Sequence, residues 1–157
     1  MKNKRIILCG PSASGKTYIR EKLEKVGYVS DVSYTTRPMR EGEEYGVHYN
    51  FISEDEFILR ISQGAFYEHV KYGEYRYGTG LHEFKESDIF IFETDGVKHL
   101  KSKDRKTSVV IFVNTDENIR IRRMLERGWD LIKINERIET DKKKFETFTN
   151  FDIEIKS

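Results

Sequence analysis

The residues Gly10-Pro11-Ser12-Ala13-Ser14-Gly15-Lys16-Thr17 fit G-x-x-x-x-G-K-[ST], a spacing that suits backbone N–H groups turned inward around a polyphosphate. Glycines stand where a side chain would block that approach or forbid the backbone angles. Lys16 is spaced to reach the outer phosphates, and Thr17 to offer its hydroxyl to Mg2+. Such a loop needs a strand to end on and a helix to begin. Ile6-Ile7-Leu8-Cys9 is a buried-strand pattern, and Ile19, Leu23 and Val26 recur at i, i+4 and i+7 as one apolar helix face. The loop is therefore predicted at a strand-to-helix turn, where a helix N-terminus favours anions.

At 157 residues the chain is read as one domain with room for smaller inserted lobes. Its 28 Lys+Arg nearly cancel 27 Asp+Glu, and a net charge of +1 gives no case for general nucleic-acid or membrane binding. Anion recognition must come from local clusters. Cys9 is the single cysteine, so no internal disulfide forms; it is read as a small buried residue of the first strand, consistent with a reducing cytosol. No apolar run approaches the ~20 residues of a membrane span. Met1-Lys2-Asn3-Lys4-Arg5 leads into only four apolar residues, too few for a signal peptide. The expectation is a soluble, cytoplasmic protein.

Tyr28 to Thr36 alternates like a second strand, and an Arg-, Glu- and Gly-rich loop runs from Arg37 to Gly46. From Val47 to Thr79 aromatics crowd together around a predicted helix at Glu54 to Ser62, which reads as a small β-rich lobe. Ile89 to Phe92 and Val109 to Val113 are continuous apolar runs, the pattern of parallel strands buried on both faces. Glu117 to Arg127 and Leu131 to Phe148 read as helices, and Phe151 to Ile155 as a last strand. Alternating strands and helices that open on a phosphate loop predict an α/β fold with a parallel sheet flanked by helices. Arg120, Arg122 and Arg123 read as a basic solvated helix face. His48, His69, His82 and His99 are scattered without ligand spacing.

A second constellation narrows the chemistry. Ser33-Tyr34-Thr35-Thr36-Arg37-Pro38-Met39-Arg40-Glu41-Gly42-Glu43, continuing through Gly46 and Tyr49, resembles the S-x-T-T-R-x-x-R-x-G-E…G-x-x-Y signature of guanylate kinases. The phosphate loop matches that family's apart from Ala13 in place of a glycine. Phe66-Tyr67-Glu68 and Tyr75-Arg76-Tyr77-Gly78-Thr79 resemble two further family segments, in order. The resemblance spans roughly residues 5 to 155 and implies a P-loop nucleoside monophosphate kinase. It implies a core of 1–35, 80–126 and 138–157, a GMP-binding lobe at about 36–79 and a helical lid at about 127–137. The chain stops two residues past Ile155, so it resembles a short form lacking the family's usual C-terminal helix and the adenine contacts near it.

The same resemblance implies the roles. Gly10 to Thr17 would bind ATP with Mg2+ on Thr17, and Lys16, Arg127 and Arg137 would act on the transferring phosphoryl group. Arg37 and Arg40 would hold the acceptor phosphate with Tyr49 and Tyr77, since guanidinium forks suit a dianion. Glu68 and Asp95 would face the guanine N1–H and 2-amino group, with Ser33 and Thr79 at O6. Glu93-Thr94-Asp95 aligns either with a two-residue gap and Asp95 on guanine, the preferred alignment, or without a gap and Glu93 there; the other carboxylate would order water near Mg2+. The implied reaction moves the γ-phosphoryl of ATP to GMP or dGMP. The alternatives are a non-catalytic guanylate-kinase-like binding module and a P-loop kinase of another phosphorylated acceptor. Monomer and homodimer stay open.

Overall fold

A computed structural model describes residues 4–157. In chain order it contains β1 (Arg5–Cys9), α1 (Lys16–Lys25), β2 (Tyr34–Thr35), β3 (Asn50–Phe51) and α2 (Glu54–Ser62). These are followed by β4 (Phe66–Tyr72), β5 (Tyr75–Gly80), α3 (Leu81–Glu86), β6 (Ile89–Ile91), α4 (Thr94–Lys98) and α5 (Ser102–Lys106). The chain ends with β7 (Ser108–Asn114), α6 (Glu117–Glu126), α7 (Leu131–Phe145) and β8 (Ile153–Lys156). Contacts divide it into two units: residues up to Gly27 together with Ile89–Ser157, and Tyr28–Asp88.

The first unit is built on a parallel sheet in the order β6-β1-β7-β8, flanked by helices. Its two inner strands carry no polar alternation because both faces are covered: Ile7, Leu8 and Val110 are fully buried. The apolar runs thus behave as the sequence predicts. β1 ends on Gly10 against β7, where an added Cβ would lie 2.5 Å from the Val113 carbonyl oxygen. Only glycine lets the chain turn there. Two helices, α6 and α7, pack on each other around Met124, Ile134 and Ile138, and Ala13 of the loop joins this cluster with Trp129 and Ile121 against it. Asp116 and Asp130 cap the two helices, accepting from Asn118 N and Lys133 N.

The second unit has a four-stranded sheet in the order β3-β2-β5-β4. Tyr28 to Thr36 is not the nine-residue strand that its alternation suggests: the paired strand is Tyr34–Thr35, antiparallel with Gly78 and Tyr77, and Ser30 makes a single bridge. The expected lobe at 36–79 lies inside this wider unit, because β2 pairs with β5 and α3 packs on β4 and β5. Helix α2 covers one sheet face. Phe57 stacks on Phe66 at 4.5 Å, and Gly78 leaves room for both rings, since a Cβ there would meet each at about 3 Å. Asp88 closes the unit on its own beginning: Val29 N–H donates to Asp88 Oδ2 at 2.9 Å and Asp88 N–H to the Val29 carbonyl at 2.7 Å.

One detail of α1 differs from its sequence pattern. The helix stops at Lys25, Gly27 takes a φ of 101°, and Val26 is 73% exposed, so the apolar face reduces to half-buried Ile19 and Leu23. Among the described residues no helix is long and apolar enough to cross a membrane.

Candidate active site

The phosphate loop is held from outside by side chains from distant sequence, among them Arg120, whose Nη1 donates to the Ser12 carbonyl at 3.5 Å. Ser12 N–H donates to Asp141 Oδ2 at 2.9 Å, Arg123 Nη1 donates to the Ala13 carbonyl at 3.0 Å, and Thr115 Oγ1 donates to the Ser14 carbonyl at 2.7 Å. Three consecutive loop residues are thereby fixed. Ala13 sits at φ 61°, a left-handed conformation that costs a non-glycine residue roughly 1–2 kcal/mol. Burial of its methyl group among Met124, Ile134 and Ile138 returns about 0.8 kcal/mol of that.

Inside the loop, Lys16 Nζ donates to the Gly10 and Pro11 carbonyls at 2.6 and 2.9 Å. Burial lowers its pKa, and the Glu93 carboxylate pulls the other way. Anionic phosphates would favour the charged ammonium in the same sense as Glu93. Glu93 stands just before α4 and also accepts from Lys144 Nζ at 3.3 Å. Cys9 below the loop is buried, and burial pushes its thiol up to about 12. It is a packing residue, as its sequence context indicates.

The loop fits a nucleotide phosphate chain. Ser14 Oγ is buried and has no partner among the described residues, and α1 begins at Lys16 with neither a side-chain cap nor an acidic residue in its first turn. Its free N–H groups favour an anion. Thr17 follows in that first turn with an exposed residue surface. Among the described residues no group of three His, Cys, Asp or Glu side chains could hold a metal by itself. The donor set therefore fits Mg2+ carried in with phosphate oxygens and one hydroxyl, rather than a protein-only cage.

Of the predicted residues in the second unit, Tyr77, Thr79 and Glu68 share one sheet face. Thr35 pairs with Tyr77, Tyr77 with Val70, and Thr79 with Glu68, so alternation turns Thr35, Tyr77, Thr79 and Glu68 to the same side, away from α2. Ser33 immediately precedes β2, and its carbonyl accepts Asn50 N–H at 2.8 Å. Thr79 Oγ1 donates to Glu68 Oε1 at 3.0 Å. At the other end, Arg37 is buried and both of its terminal nitrogens meet Glu43, at 2.9 and 2.7 Å. Glu43 also accepts Arg40 N–H at 2.8 Å. The paired hydrogen bonds raise the Arg37 pKa and hold the Glu43 carboxyl below the usual range. The Arg37 guanidinium lies 5.3 Å from the Tyr49 ring centre, and Tyr49 lies 6.1 Å from Tyr77.

Asp95, Arg127 and Arg137 belong to the first unit. Asp95 is exposed in the first turn of α4 with Lys98 Nζ at 3.5 Å. Arg127 caps the C-terminus of α6, Gly128 turns the chain at φ 80°, and Arg137 on α7 faces the Trp129 ring at 5.8 Å. The basic-face reading fails for Arg120, which is buried against Asp141 at 3.3 Å. It turns inward because α7 presents a carboxylate there. Asp141, Thr115 and Glu43 were missed. Of these only Glu43 carried a signal, as the last residue of the Arg37–Arg40 motif.

Comparison with known proteins gives the family. The family model described as guanylate kinase matches residues 2–157. A guanylate kinase of Helicobacter pylori is 35% identical over 158 residues, covering 94% of this chain and 76% of the relative. One from Thermotoga maritima is 38% identical over 138 residues, covering 82% of this chain and 66% of the relative. The crystal structure of guanylate kinase from Anaplasma phagocytophilum has the same fold, with a TM-score of 0.76 at 22% identity over 99% of this chain and 77% of that one. With a matching family model over nearly its whole length, the chain belongs to the guanylate kinase family.

Proposed function

We propose that this protein is an ATP-dependent nucleoside monophosphate kinase that transfers the γ-phosphoryl of ATP to GMP or dGMP, giving ADP and GDP or dGDP. The observation that carries the reading is the braced, intact phosphate loop, with the Lys16 ammonium inside it and a buried Ser14 hydroxyl that has no partner among the described residues. A module that only bound protein ligands would have no use for either. In this reading Gly10 to Thr17 cradle the ATP phosphates, and Mg2+ bound at Thr17 would supply charge neutralisation between them. Arg37, Arg40, Tyr49 and Tyr77 hold the acceptor phosphate, while Ser33, Glu68, Thr79 and Asp95 read the base. Arg127 and Arg137 face the transferring group, and Glu93, already within reach of Lys16's charge, orders water on the donor side. No general base is required, because the attacking phosphate oxygen is already anionic; positioning and electrostatics carry the rate.

The test is ADP release with a panel of monophosphates, read by a coupled assay. GMP and dGMP are expected to turn over far faster than AMP or CMP, and equal turnover of AMP would reject the guanine assignment. Glu68→Gln should lower kcat/KM for GMP by at least about a hundredfold, since it removes the acceptor for two base N–H groups.

A further inference from the structure

Ser33 Oγ donates its hydrogen to Asp31 Oδ2 at 2.5 Å, and Thr79 Oγ1 donates to Glu68. Both hydroxyls of the base-reading edge therefore spend their hydrogens on carboxylates. They present lone pairs outward. That suits the N1–H and 2-amino donors of guanine, which Glu68 already serves, but it leaves the 6-oxo group facing acceptors. A hydroxyl that donates outward keeps its hydrogen bond to the carboxyl behind it only if that carboxyl becomes the donor.

Asp31 is built to make that exchange. Its Oδ1 is buried with no hydrogen-bond partner among the described residues, as is Ser30 Oγ beside it in sequence. The Ser33 carbonyl accepts Asn50 N–H at 2.8 Å, so the backbone carrying the hydroxyl is fixed. The groups that act on Asp31 are the Ser33 hydroxyl and the Glu83 carboxylate of α3, which itself accepts the Tyr34 phenol at 3.1 Å. Burial pushes Asp31 up to about 6, Glu83 adds to the rise, and Ser33 opposes it. Protonation is within reach at neutral pH.

We propose that Asp31 is a proton-dependent positioning residue of the base site: when a 6-oxopurine monophosphate binds, Asp31 takes one proton from solvent and donates it in a hydrogen bond to Ser33 Oγ. The Ser33 hydrogen is thereby freed for O6 of the base. No covalent bond other than the Asp31 O–H is formed, and the proton returns to solvent on release. The inference rests on the reading of this face as a guanine-nucleotide acceptor site.

Calorimetry of GMP binding at pH 7.5, in two buffers of different ionisation enthalpy, tests it on the intact protein. At that pH the nucleotide phosphate is almost fully ionised, its second pKa being about 6. The expected result is uptake close to one proton per GMP. Asp31→Asn supplies a permanent N–H donor to Ser33, so it should bind GMP without proton uptake and about thirtyfold more tightly at pH 7.5, the linkage cost of protonating a group with a pKa of about 6. GMP affinity of the wild type should weaken about tenfold per pH unit between pH 7 and 8, and that of Asp31→Asn should stay flat. Asp31→Ser, also a neutral donor, replaces it if Asp31→Asn does not fold. GMP binding without proton exchange in the wild type, or with equal exchange in the variant, overturns the inference alone. Failure of every purine monophosphate to bind rejects the acceptor site itself.

Discussion

Glu43 holds Arg37 through two parallel hydrogen bonds in a site where Arg37 is buried, so a single carboxylate sets where the guanidinium stands. Its effect on stability depends on its charge. Arg37 depresses the Glu43 pKa below the ordinary 4.5, so the stabilisation is complete above about 4.5 and is lost as pH falls through the lower folded-state value. Glu43→Gln should therefore lower stability by roughly 1–3 kcal/mol at pH 7, with the gap from wild type closing well below pH 4.5. Thermal melts from pH 7 to 3 measure this, and a gap of constant size would refute the charge dependence. At this scale the sequence speaks through contiguous spacing. Gly10 to Thr17 and Arg37 to Arg40 are legible because one loop must supply all their groups, whereas Asp141 lies 129 residues from the Ser12 amide it accepts. Nothing local marks it.

Helices α6 and α7 brace the phosphate loop with a buried ion pair, Arg120–Asp141, whose side chains are 7% and 6% exposed. Breaking such a pair leaves a lone buried charge, which costs about 3–5 kcal/mol, whereas replacing both partners by apolar groups is often neutral. Here Asp141 has a second duty, accepting Ser12 N–H. Asp141→Ala is expected to cost about 3–5 kcal/mol, and Arg120→Leu/Asp141→Ala to recover part of it but stay about 1–3 kcal/mol below wild type, because the Ser12 N–H loses Asp141 and the Ser12 carbonyl loses Arg120. Urea melts give the cycle. Full recovery in the double variant would show that these two bonds to Ser12 contribute nothing. Long periodic elements such as α2, α6 and β7 follow from their patterns. The five- and six-residue helices α3, α4 and α5 do not, being too short for an apolar face to repeat. β2 was misread in extent because its pairing residues, Tyr77 and Gly78, lie more than forty positions away.

The whole chain is one parallel-sheet unit with a single continuous excursion, Tyr28–Asp88, that has its own sheet and its own helix α2 against it. On the proposed function the donor loop is in the first, and the groups assigned to the acceptor phosphate and all those assigned to the base except Asp95 are in the second. Hydrogen exchange should report them separately: GMP alone slowing amides within 28–88, and a non-hydrolysable ATP analogue slowing those of Gly10 to Thr17. Protection by GMP confined to the first unit would contradict the assignment. The reciprocal hydrogen bonds between Val29 and Asp88 have a consequence for how such chains can change. An excursion stapled at its own base behaves as a cassette. Lengthening its exposed turns, at Gly42 or Gly73, adds only about 0.6 kcal/mol of closure entropy for each doubling of the loop, and the offset between β1 and β6 does not feel it. Length and sequence within Tyr28–Asp88 can thus vary as a block, while the phosphate loop and its sheet are inherited unchanged.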